Sequence, residues 1–225
     1  MEIREQARTA TLQAIVSTTP KLLWERLIER LSWAYAEAYA STKHNPLILP
    51  DYARFRAAQE RHFLVEYALS EVAKETGANF VPEVVAENAW RYGILSAGSI
   101  ALTQKCVTSA DGRPPAAEFR KRMAETGGFV RQERFAFVGV ASKISGAKIT
   151  AVLVHAPESR NFNSDKFGKP AFINFAVAWK DYADWAVSLN LAEIVASYVP
   201  VQLQRKDNRP DWKKAAREEG GQEGA

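Results

Sequence analysis

The sequence predicts an α+β fold: an antiparallel sheet of about four or five strands, centred on a hairpin at 135–156 and covered by two long N-terminal helices. Three observations carry this expectation. Residues 135–156 read FAFVGVASKISGAKITAVLVHA, two apolar runs (135–142 and 149–156) around the polar segment 143–148. The runs are rich in Val, Ile and Phe, and Gly146 suits the tight reversal between them. Residues 21–40 and 51–76 each repeat apolar side chains at helical spacing.

Taken in order, residues 7–17 (ARTATLQAIVS) alternate loosely and include β-branched side chains, so a first strand is expected there. Thr19 and Pro20 then offer an N-cap and a first-turn proline for the helix over 21–40. Its stripe is Leu23, Leu27, Leu31, Ala34 and Ala38, with Trp24, Ile28 and Tyr35 beside it. The loop 41–50 carries two prolines, and Asp51 can cap a second helix that Gly77 stops near Thr76. The seam of that helix is Phe55, Ala58, His62, Val65, Leu69 and Val72, and Arg54, Arg61, Glu71 and Lys74 mark the opposite, solvated face. The two helices read as an antiparallel pair.

A short helix is expected over 82–90, one or two strands over 92–108, and a turn at 109–112. A short basic helix follows Pro114 and Pro115 and ends at Gly127 and Gly128. After the central hairpin, a polar loop over 157–170 leads to a strand over 171–179. Asp181 would cap a last helix over 182–198. Residues 1–204 thus form one domain, helical over about 20–90 and sheet-forming over about 92–200, and 205–225 is a charged, mobile tail.

Composition limits the chemistry. The 225 residues are 47% hydrophobic and 25% charged, values of an ordinary globular chain and not of a disordered one. The single cysteine, Cys106, excludes an internal disulfide framework and a multi-thiolate zinc site, and points to a reducing, cytoplasmic setting. The first residues lack the apolar core of a secretory signal, and no apolar run is long enough for a membrane span, so no membrane partner is expected. A net charge of +4 suits phosphate-rich partners.

Among candidate catalytic groups, His62 lies one turn before Glu66, and His155 ends a predicted strand with Glu158 nearby. The ordinary reading of both is a hydrogen-bonded core histidine. His44 sits in an Asn/Pro loop, and no histidine pair has metal-ligand spacing, so neither metal nor cofactor is expected. Lys105 on a strand, with Glu83, Glu87 and Asp111 around it in sequence, outlines a magnesium-dependent nuclease; Thr103 stands where that arrangement needs a carboxylate. There is no serine elbow, P-loop or dinucleotide fingerprint.

The strongest functional signal is charge interleaved with aromatic rings. The loop 160–169 places Arg160, Lys166 and Lys169 around Phe162 and Phe167, the combination that grips phosphates and stacks unpaired bases. Arg120, Lys121 and Arg122 extend a basic path, followed by Arg131, Arg134 and the cations of the tail. Replacing Lys166 and Lys169 by Ala is expected to flatten the salt dependence of binding. The sequence therefore leads to a non-enzymatic nucleic-acid-binding protein, for DNA or RNA, within a larger DNA/RNA-processing or ribonucleoprotein complex and its protein partners. A protein-assembly scaffold that uses exposed aromatics, Trp212 of the tail among them, is the alternative, and the nuclease is the second.

Overall fold

A computed structural model describes residues 2–85, 91–130 and 148–198. Three helices come first: α1 (Glu2–Thr18), α2 (Lys21–Lys43) and α3 (Pro50–Thr76). Strands β1 (Asn79–Val84), β2 (Arg91–Ala97) and β3 (Ile100–Cys106) follow, then helix α4 (Glu118–Gly127), β4 (Ile149–Pro157), β5 (Pro170–Ala178), β6 (Trp185–Asn190) and a short α5 (Leu191–Ala196). The fold is mixed α and β. One six-stranded sheet runs in the order β1-β2-β3-β4-β5-β6, antiparallel throughout except for the parallel pair β3 and β4, which α4 connects.

The two long helices at 21–40 and 51–76 form close to where their apolar spacing places them. In α2 every stripe residue is buried, from Leu23 to Ala38. Trp24 meets Phe175 of β5 edge to face at 5.6 Å, which joins the helical layer to the sheet. Gly77, at φ 71°, ends α3 in the left-handed conformation that favours glycine.

Residues 7–17 are helical, contrary to the strand expected there. Ala7, Thr11 and Ile15 repeat every four residues and are fully buried. The β-branched hydroxyls return to the helix backbone, Thr11 Oγ1 donating to the Ala7 carbonyl at 2.7 Å and Thr18 Oγ1 to that of Ala14 at 2.7 Å. Thr19 does not cap α2; its hydroxyl donates to the Ile15 carbonyl and accepts from Trp24 Nε1 at 3.0 Å.

Of the hairpin expected at 135–156, the second run is β4, which pairs with β3 along one edge and β5 along the other; the 135–142 run lies outside the described residues. Residues 82–84 belong to β1 instead of a helix. Pro82 is tolerated because β1 is an edge strand. Residues 185–190 form β6, and only 191–196 are helical, capped by Asn190 accepting from the Ala192 N–H at 2.9 Å. Asp181 accepts from the Ala183 N–H within a turn. The tail expected at 205–225 lies outside the described residues.

The sheet has two unequal faces. Leu102, Ala151, Leu153, Phe175, Val177 and Leu189 pack with α1, α2, α3 and α5 in the main core. Val152, Val154, Ala176 and Ala178 face the other way, against Ala124 of α4, Tyr182 and Trp185. Among the described residues no helix is long and apolar enough to cross a membrane.

Candidate functional site

Parallel pairing brings the carboxyl ends of β3 and β4 side by side, with Cys106 opposite His155. Beyond these ends lies a cleft of about 490 Å³. Cys106, Val107, Thr108, Ala156 and Pro157 form its floor, Arg54, Phe55, Ala58 and Arg61 of α3 one wall, and Arg160 and Phe167 the other. Three arginines converge here, and among the described residues no carboxylate lines the cleft.

Arg61 is the unusual member. It is only 5% exposed, because it continues a stripe of small buried residues, Ala53 and Ala57, that lets α3 sit close to α2. Its guanidinium lies between aromatic faces, 4.7 Å from the Tyr35 ring and 5.2 Å from Phe167. Among the described residues Nε has no hydrogen-bond partner, and no carboxylate forms an ion pair with it. Arg160 donates from Nη2 to the Thr108 carbonyl at 3.0 Å, which holds its charge at the cleft. Phe55, 69% exposed, and Tyr52, 64% exposed, stand on the same end of α3.

Beneath the floor runs a polar chain, buried at Tyr35, His155 and Gln104 and half-buried at His62 and Glu66. Tyr35 OH lies 2.7 Å from His155 Nδ1, and His155 Nε2 lies 3.0 Å from Gln104 Oε1. The carbonyl oxygen of Gln104 only accepts, so His155 carries its proton on Nε2 and accepts a hydrogen bond from the Tyr35 hydroxyl at Nδ1. The Gln104 amide then donates to His62 Nδ1 at 2.9 Å and to Glu66 Oε1 at 2.7 Å, and the Gly93 N–H donates to Glu66 Oε2 at 2.8 Å. Burial pushes His155 down to about 3, helped by the positive charge of Arg61, so the ring is neutral. Burial also raises the Tyr35 hydroxyl and the Glu66 carboxyl and lowers His62 and Lys105.

Of the residues expected to bind, Arg160 lies in the cleft, whereas Phe167 is 4% exposed. Phe162 packs against Tyr39 and Phe167 at 5.4 and 5.3 Å, so the two rings face each other and the helical layer more than solvent. Lys166 pairs with Glu158 at 2.8 Å, and Lys169 is exposed. Arg120, Lys121 and Arg122 lie on α4, which packs on the other face of the sheet. There Arg120 donates to the Pro115 carbonyl at 2.9 Å, Lys121 pairs with Glu118 at 2.8 Å and Arg122 is exposed. The structure thus does not join α4 and the 160–169 loop into one path.

Lys105 is half-buried, Glu83 accepts from Tyr92 OH at 2.9 Å, Asp111 sits in an exposed turn, and Glu87 is outside the described residues. Among the described residues no three His, Cys, Asp or Glu side chains gather as metal ligands would.

Sequence reasoning missed Arg54, Phe55 and Arg61 as a group because the arginines fell on the face of α3 assigned to solvent. The available signal was the four-residue spacing of Ala53, Ala57, Arg61 and Val65, which puts a cation in line with small core residues. No family model, curated protein or solved structure matches the chain.

Proposed function

We propose that the protein binds single-stranded nucleic acid in the cleft at the ends of β3 and β4. Arg61, Arg54 and Arg160 take phosphates, and Phe55 and Tyr52 offer rings to unpaired bases. The observation that carries this reading is a buried arginine, Arg61, that has no carboxylate partner among the described residues. Removing a charge from water costs several kcal/mol unless it is paired. The faces of Tyr35 and Phe167 offset part of that cost, each by about 2 kcal/mol at a desolvated site. A phosphate oxygen at the guanidinium supplies the missing partner in a bidentate geometry that arginine favours. The carboxyl ends of neighbouring parallel strands are also where open α/β sheets hold their ligands. Exposed rings beside the cations select a strand with unstacked bases over a duplex, whose bases are already stacked.

Fluorescence anisotropy with labelled single-stranded and duplex DNA and RNA, at low and moderate salt, tests the proposal. Salt-dependent binding to a single strand, lost in Arg61→Met, is expected. No binding at low salt, or equal binding by Arg61→Met, would overturn it.

A further inference from the structure

A second cleft, of about 290 Å³, lies farther along the same side of α3. Arg54 and Ala58 border the first cleft, His62, Glu66 and Ser70 the second, and these five residues recur every four positions as one helical stripe. Ala58 and Glu66 are separated by about 12 Å at the helical rise of 1.5 Å per residue, a span that one strand can cross.

The second cleft is lined by Phe63, 58% exposed, Tyr67, 53% exposed, and the rings of Phe80 and Tyr92. The Glu66 carboxylate lies among these rings. Each of its oxygens already accepts one hydrogen bond, from Gln104 Nε2 and from the Gly93 N–H. Gly93 permits the second contact: a Cβ there would stand 2.6 Å from Glu66 Oε2 and 2.2 Å from the Phe80 ring. A carboxylate has about four lone-pair sites, so among the described residues two remain open to a ligand, one on each oxygen.

A planar ligand with two adjacent donors on one edge fits that remaining capacity. Among the bases, guanine presents N1–H and N2–H side by side. Adenine places an acceptor at N1, cytosine pairs one donor with an acceptor, and thymine or uracil offers a single donor between two acceptors. We propose that the second cleft holds an unpaired guanine of the strand bound in the first, stacked on Phe63 or Tyr67 with its Watson–Crick edge on Glu66. This proposal rests on the strand-binding reading above and adds base selectivity to it.

Anisotropy titrations with thymine 8-mers, each carrying one guanine, hypoxanthine, adenine or abasic site scanned along the strand, test it. At one position guanine should bind about tenfold or more tighter than adenine, with hypoxanthine, which lacks N2–H, between them. Glu66→Gln should keep the affinity for the thymine-only strand and lose the guanine advantage. Phe63→Ala, at an exposed position, should reduce that advantage and decides the matter if Glu66→Gln melts early. Arg61-dependent binding of all strands with guanine no better than an abasic site would overturn the guanine pocket and leave the first cleft standing. Failure of every strand to bind would remove both.

Discussion

Two regions of this molecule combine cations with aromatic rings, and they do opposite things with them. Over residues 162–167 the chemistry is satisfied within the protein: Lys166 pairs with Glu158, and Phe162 and Phe167 pack on Tyr39. On α3 it is left open. Among the described residues no carboxylate pairs with the buried Arg61, and Phe55 of the same cleft stands 69% exposed. Composition alone favours the loop, whereas packing favours the helix. A cation that already has its partner has little reason to take another, and a buried cation without one has most to gain from an anion.

The largest expected effect lies beneath the cleft, where Tyr35, His155 and Gln104 are insulated from water. His155 is held down to about 3 in the fold, against about 6.5 for a free histidine. Between these values the unfolded chain binds the extra proton, so the contribution of the neutral ring is complete above about pH 6.5 and is lost as pH falls toward 3. At about 1.4 kcal/mol per unit this amounts to several kcal/mol across the window. Denaturant melts from pH 7 to pH 4 should show the fall, and His155→Gln should flatten it.

Phe167→Ala separates structural from binding aromatics. This ring is 4% exposed and lies under Arg61, so its removal should cost about 3–5 kcal/mol of stability in urea unfolding. Phe55→Ala should leave stability unchanged and weaken single-strand binding by about 1–3 kcal/mol in anisotropy. Equal stability losses in the two variants would erase the contrast drawn here. The smallest effect concerns the slope of log affinity against log salt. Arg160→Ala should lower it by about one, while Lys166→Ala should leave it in place, because Lys166 already has Glu158.

How far the sequence could be read follows from the kind of signal each region carries. The helices α2 and α3 announce themselves by long apolar stripes and by the stops at Gly77 and the loop prolines, and β4 and β5 by β-branched runs. The helix α1 was hidden because its threonines bond their own backbone, which makes a strand-like composition helical. Strand identity also does not state strand partner: β4 pairs in parallel with β3, on the far side of α4 in sequence, and with β5. In the candidate site, Arg160 was legible from local composition. Arg61 was not, since the face of α3 it joins is defined by how closely α2 approaches, a distance that small residues set and hydropathy does not register. The chain from Tyr35 through His155 to Glu66 joins residues 35, 155, 104, 62 and 66, and only the folded sheet brings them together.

The central claim is that Arg61 is kept in the core for a ligand's phosphate. Thermal melting of Arg61→Met beside the natural protein, each with and without a saturating single-stranded oligonucleotide, tests it most directly. Replacing a buried unpaired charge by an apolar side chain of similar length should leave the ligand-free variant at least as stable. The natural protein should then gain about 2.7 kcal/mol at a hundredfold excess of strand over Kd, and the variant nothing. A variant that melts well below the natural protein yet gains the same stabilisation from the strand would contradict the account.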